Sequence, residues 1–287
     1  MSSGVVLGTS AALCWGVVDV AIALLARRAP FVTVAVVVQG ASVVMLAALA
    51  VALGDVPELS GGQWVAVAAL GPVGTGAYLA FYRALQLGPL AIVSPIASAN
   101  GAVVVVLAVI LLGDSLSGTQ ALGAAVVLCC VVLAAVDVGE RVPPGPGDGD
   151  GDGVRLAVLA TVMFAGYLFA LVALAEPLGW LLPILLTRMT GLPLLAAIVA
   201  RRRERPWRLL GPGALALACA VGWLESAGFL LFNRGAEIGQ AALTSAAAAT
   251  YPLVPVACGL LLLHERLRAY QAVGIAGVLA GMTLLAL

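Results

Sequence analysis

Ten mainly apolar stretches, each near 20 residues long, follow one another along the chain. They span 5–26, 31–53, 63–85, 89–112, 118–136, 154–174, 179–200, 210–233, 238–263 and 269–287. About 20 apolar residues are what an α-helix needs to cross the hydrocarbon of a bilayer. The fold expected is therefore an all-α membrane protein with ten transmembrane helices. Charge agrees: only 10% of the residues are charged, against roughly 25% in soluble domains. A water-facing surface or a disordered chain could not be built from this composition. Fourteen basic and 14 acidic residues balance, which argues against a nucleic-acid partner.

One segment is of another kind. Pro143-Pro144-Gly145-Pro146-Gly147 runs into Asp148-Gly149-Asp150-Gly151-Asp152-Gly153, a composition suited to a flexible, solvated linker. The aspartates match the start of a calcium loop, but loop position twelve, which needs a bidentate acid, is Leu159. The linker reading is preferred, and no metal site is expected. The five cysteines, Cys14, Cys129, Cys130, Cys219 and Cys258, lie inside apolar runs and read as small packing residues. Met1-Ser2-Ser3-Gly4 carries no positive charge, and the run after it is too long for a cleavable signal.

The halves on either side of the linker resemble each other. With a shift of 151 residues and no gap, Phe81 meets Phe232, Arg83 meets Arg234, and Gly88 meets Gly239. Ser94 meets Ser245, Gln120 meets Gln271, Gly123 meets Gly274, and Asp114 meets the acid Glu265. Polar matches in one register indicate an internal duplication. The expected organisation is a first five-helix repeat over 1–137, a linker over 138–153 and a second repeat over 154–287. Five is odd, so the second copy would enter the membrane upside down. Such inverted repeats are common in secondary transporters, with the solute site near the midplane between the halves.

All the basic residues are arginine, and twelve of the 14 fall in connections after odd-numbered helices, from Arg27 and Arg28 to Arg266 and Arg268. The positive-inside rule puts that face in the cytoplasm and both termini outside. Arg201-Arg202-Arg203 reads as a topology anchor. Arg83 and Arg234, at equivalent helix ends, read as snorkelling anchors. Asp114 and Glu265 read as interfacial turn or cap residues, and His264, the single histidine, as an interfacial anchor.

Several motifs resemble the EamA-type ten-helix members of the drug/metabolite transporter superfamily. They are Trp15-Gly16 in the first helix, Arg83-Ala84-Leu85 followed by Leu90 to Ser94-Pro95, and the helix closings Leu111-Leu112-Gly113-Asp114 and Leu262-Leu263-His264-Glu265-Arg266-Leu267, with Gly123 and Gly274 beyond. The first closing has Asp114 where the family usually has Glu, and Phe164-Ala165-Gly166 stands where a second Trp-Gly would be expected. The resemblance spans essentially the whole chain as two EamA-like repeats. It implies a solute transporter, often an exporter of amino acids, metabolites or drugs, and cytoplasmic termini, against the arginine count.

A charge at the bilayer centre costs at least ~2.5–3.5 kcal/mol on insertion scales, so such residues should face the bundle interior. Three lie deep in their helices: Asp19, Arg188 and Glu225. Trp15 and Asp19, four apart, share a helix face and together suit a solute with an ammonium group. Arg188 offers a planar donor fork for a carboxylate, or a structural pair with Glu225. Asp19 and Glu225 are also the proton-coupling candidates, since a carboxyl withdrawn from water can exchange protons near neutral pH. Helices four and nine carry small residues and prolines, Ser94-Pro95 to Gly101 and Ser245 to Pro252 with Pro255. Proline frees carbonyls that are tolerated beside a cavity, so these helices should line the path, with Asn100 and Tyr251 at equivalent positions. Tyr78 is a weaker lining candidate.

The function expected is a secondary transporter in the plasma membrane that exports a small polar or zwitterionic metabolite by alternating access, with a proton as a coupling candidate. No nucleotide-binding G-x-x-x-x-G-K-[ST] and no cofactor motif occurs. The alternative is an intramembrane enzyme: a metalloprotease would need H-E-x-x-H and a Ser/His dyad a core histidine, neither present, and an acid pair of Asp19 and Glu225 has no accompanying motif. A non-transporting scaffold would leave three costly charges unexplained. The partners expected are the solute and the lipid bilayer, with Gly277-x-x-x-Gly281 as a packing face open to a homodimer contact.

Overall fold

The computed structural model describes residues 3–54, 59–112, 117–135, 152–235, 238, 244, 247–248 and 250–285. Everything regular among them is helical. The helices are α1 (Ser3–Ala26), α2 (Phe31–Leu53), α3 (Gly61–Leu87), α4 (Leu90–Ser98), α5 (Asn100–Leu112), α6 (Gly118–Ala135), α7 (Asp152–Leu178), α8 (Leu182–Arg201), a short α9 (Pro206–Leu209), α10 (Pro212–Gly235), α11 (Leu253–Leu261) and α12 (Ala269–Leu285). Six of them, α1, α2, α3, α7, α8 and α10, are long and apolar enough to cross a membrane. The expected linker lies almost wholly outside the described residues. Its last two residues, Asp152 and Gly153, instead open α7, and Gly153 packs against Gly88. The calcium-like aspartates Asp148 and Asp150, and Asp114 and Ser245, also lie outside.

Local chemistry sets the helix ends. Ser60 and Gln63 form a reciprocal capping box at the start of α3. Ser117 and Gln120 do the same for α6, and Gln271 bonds the Arg268 N–H at the start of α12. The matched glutamines of the duplication are thus helix-start residues. Gly54 closes α2 with a left-handed φ of 66°, a conformation that glycine adopts at no steric cost.

The fourth apolar run is broken, and the break is α4/α5. At Ala99 the N–H turns to Ile96 O at 3.2 Å, and Ala102 N–H reaches Ala99 O at 3.0 Å. The ninth run repeats this 151 residues later: Thr250 N–H to Ala247 O at 3.3 Å and Leu253 N–H to Thr250 O at 3.0 Å. Three successive carbonyls of the first break find partners. Pro95 O accepts from Ser98 Oγ, Ile96 O from Thr161 Oγ1 of α7, and Ala97 O from Asn100 Nδ2. Irregular backbone at membrane depth is tolerated where its polar groups are met in this way.

Packing pairs follow the duplication. α1 lies on α10 and α3 on α7; α2 lies on α10 and α3 on α8; α1 meets α11 and α7 meets α5; α6 pairs with α12. Close crossings need glycine. A Cβ on Gly222 of α10 would strike the Val38 carbonyl of α2, and one on Gly71 of α3 would meet the Thr187 carbonyl of α8. Gly71 and Gly222 are again 151 residues apart. Gly277 and Gly281 face Cys130 and Val127 of α6. The small-residue stripe expected to be open to a homodimer is spent inside the chain.

The ends of α1, α3 and α8 and the segment after α11 gather at one end of the molecule. Glu265 accepts N–H bonds from Leu90 and Ala91, both at 2.9 Å, and an ion pair from Arg27 at 2.9 Å. It is a cap residue, as expected, but for a helix of the other repeat. Thr33 bonds Glu204, and the Arg83 and Arg202 guanidinia both stand over the Phe31 ring. His264 is exposed, with a φ of 55°, consistent with a turn at that end.

Candidate functional site

A cavity of about 520 Å³ lies in the middle of the helix assembly. Its walls are overwhelmingly aromatic and aliphatic, as expected of a small-molecule site. Six of the seven residues singled out from the sequence line it: Trp15, Asp19, Tyr78, Asn100, Glu225 and Tyr251. The polar positions come from α1, α3, α5, α10 and the segment before α11, so no single helix builds the site.

Asp19 projects from the middle of α1 and is 5% exposed. Its carboxylate accepts a hydrogen bond from Ser94 of α4. The small residues of α4, buried throughout, let the two helices come that close. One turn back on α1, Trp15 sits against Phe229, Phe232 and Tyr251 at ring-centroid distances of 5.2, 5.7 and 6.0 Å. Its indole Nε1 is buried without a hydrogen-bond partner. A second aromatic group forms on the α3/α7 side. Tyr78 meets Phe164 at 4.9 Å and Tyr82 at 6.0 Å.

Arg188 is the residue that the structure moves from the expected place. It does not line the cavity. Its Nη2 donates to Glu225 Oε1 at 3.0 Å and to Tyr78 Oη at 3.1 Å, and its Nη1 donates to Glu225 Oε2 at 3.4 Å. The guanidinium also stands over the rings of Tyr78 and Phe229, at 5.2 and 5.8 Å. Both partners of the ion pair are about 95% buried or more. The two terminal nitrogens of this ring-covered guanidinium are committed to Glu225 and Tyr78, and its remaining Nε–H, buried without a partner, is a single donor rather than the fork that grips a carboxylate. The pairing with Glu225 is the structural alternative that the sequence left open.

Asn100 and Tyr251, equivalent in the duplication, are each the first residue past a helix break. They reach the cavity for that reason, although the Asn100 amide is committed to Ala97 O. Residues not picked out from the sequence also line it, among them Phe164, Tyr167, Phe229 and Asn233. The hydrophobic character of Phe164 and Phe229 hid them among the many apolar positions. Tyr167 was marked only by its hydroxyl, which bonds Thr187.

Two packed sets of helices enclosing a buried, charge-bearing cavity, in a chain with multiple membrane-length spans, define an integral multi-pass membrane protein of the solute-transporter class. The chain belongs to the EamA-like transporter family, which it matches twice, over residues 2–136 and 152–287. It is similar to a solved crystal structure described only as that of a protein, with a TM-score of 0.64, 19% identity, and coverage of 99% of this chain and 96% of the other. At that identity the likeness speaks for the fold. No curated protein matches the chain.

Proposed function

We propose that the two repeats are five-helix units of opposite orientation, and that they carry a small organic metabolite across the plasma membrane by alternating access. The packing supports this reading. Exchanging the halves turns the α1–α10 pair into the α7–α3 pair and maps α6–α12 onto itself, as a two-fold relation between copies requires. Toward the arginine-rich end the cavity ends against Ile22, Phe81 and Tyr82, all of them buried. It runs the other way to Gly179, Pro183 and Asn233. The closed end holds the Arg27–Glu265 contact, which joins the two repeats. Rocking one repeat against the other would break that contact and open the arginine-rich end.

One observation carries the proposal: Asp19, a carboxylate 5% exposed, stands in the wall of the central cavity. A buried acid in a membrane protein marks a solute or proton pathway by default. Glu225 is committed to Arg188, so of the two coupling candidates Asp19 is the one free to exchange a proton. The test is flux of a solute panel into proteoliposomes with and without a pH gradient. Gradient-driven flux that Asp19→Asn abolishes, with insertion intact, is the expected result. Unaltered gradient-driven flux in that variant would remove Asp19 from the mechanism.

A further inference from the structure

We infer that the solute is a monovalent organic cation with an apolar, aromatic-sized body, and that Asp19 is its counter-charge. The inference rests on the transporter reading of this cavity and narrows its substrate class.

The argument is a count of charge against position. Three acidic or basic side chains stand in or beside the cavity, Asp19, Glu225 and Arg188. Glu225 and Arg188 cancel each other through two hydrogen bonds, and the guanidinium is covered by Tyr78 and Phe229. A solute anion would have to displace Glu225 from that pair, leaving a buried carboxylate without a partner. Asp19 accepts only a neutral hydroxyl, from Ser94, and no cation stands against it among the described residues. The ionised cavity thus carries one uncompensated negative charge.

The walls then select what may neutralise it. Trp15 lies one turn from Asp19 on the same helix face, and Tyr251 packs edge-on against Trp15. Tyr82 closes the far side of the same cavity. Ring faces attract cations, most strongly where water is excluded. A small hydrated metal ion would gain little here, because it needs several oxygen ligands. An organic ammonium keeps few waters and fills apolar space. A volume of about 520 Å³ accommodates a body of one or two rings. A zwitterion would meet Asp19 with its ammonium, but its carboxylate would find no uncommitted cation, only neutral donors such as the unpartnered Trp15 indole N–H.

The test is equilibrium binding of radiolabelled benzyltrimethylammonium, a permanent cation, to the purified full-length chain in nanodiscs. Unlabelled 3-phenylpropanoate and phenylalanine serve as competitors of like body and different charge. Saturable binding is expected, with phenylalanine competing at least tenfold more weakly than unlabelled benzyltrimethylammonium and the carboxylate not competing. Asp19→Asn should weaken binding tenfold or more, and Asp19→Glu should restore most of it. If Asp19→Asn does not fold, Trp15→Leu serves in its place and should weaken cation binding several-fold. No saturable cation binding, stronger competition by 3-phenylpropanoate, or undiminished binding in a folded Asp19→Asn chain would overturn the inference. Proteoliposome flux separates the two levels. Driven flux of anionic or zwitterionic solutes without cations would leave the transporter reading standing and remove the cation class. Saturable cation binding without driven flux of any solute would do the reverse.

Discussion

Glu265, at the end of α11, reaches Arg27, at the end of α1, across 238 residues of sequence and 2.9 Å of space. The same carboxylate caps α4 through the Leu90 and Ala91 N–H groups. One acid of the second repeat thereby ties together two helices of the first at the closed end of the cavity.

That contact should stabilise the conformation closed at the arginine-rich end. Arg27 is a third exposed, so the ion pair itself is worth no more than about 1 kcal/mol. Glu265→Gln is expected to shift the equilibrium several-fold toward opening at that end. The check is thiol labelling of an Ile22→Cys variant in a cysteine-free background, applied from the arginine-rich side. Equal labelling with and without Glu265→Gln would show that the contact has no such role.

The Arg188–Glu225 pair should behave as a buried pair does. Removing one partner leaves an uncompensated charge, at a cost of about 3–5 kcal/mol, whereas replacing both is far cheaper. Glu225→Gln alone should therefore lower the thermal midpoint in detergent more than Arg188→Met with Glu225→Met together. A double variant less stable than the single one would contradict the arrangement.

Asn100 holds the first helix break by donating to Ala97 O at 2.8 Å. Asn100→Ala leaves that carbonyl short of a donor, at a cost of about 1–3 kcal/mol. Reduced thermal stability and reduced flux are expected, with membrane insertion unchanged. Asn100→Asp, which keeps the size but offers no N–H when ionised, should resemble the alanine variant.

The glycine crossings give a paired prediction. Gly222→Ala forces a methyl group onto the Val38 carbonyl and should cost about 1–3 kcal/mol by overpacking. Gly40→Ala and Gly166→Ala meet nothing within 4 Å, so they should leave stability unchanged or raise it. Detergent melting curves of the three variants decide the point.

Much of the protein is legible in its residues, and for a stated reason. A bilayer gives each spanning segment the same demand, about 20 apolar residues, so the apolar runs appear in one dimension. The duplication is visible because polar residues are rare here, and Ser94, Gln120 and Arg83 therefore stand out with their partners. The depth of Asp19, Arg188 and Glu225 within their runs marks them in the same way. The start of α7 at Asp152 was missed because a flexible composition gives way to a helix at no sharp chemical boundary.

What a charge touches is another matter, since it depends on side chains brought together from far apart along the chain. Arg188 could have faced a solute or Glu225, and only the packing of α8 against α3 and of α10 against α2 committed it to Glu225. Gly277 and Gly281 could have met a second copy or a neighbouring helix, and the pairing of α12 with α6 decided it. The sequence determined that this chain crosses a membrane as two related halves with charges inside. The tertiary structure decided which of those charges are cancelled, because cancellation depends on distances of about 3 Å between residues that the sequence sets far apart.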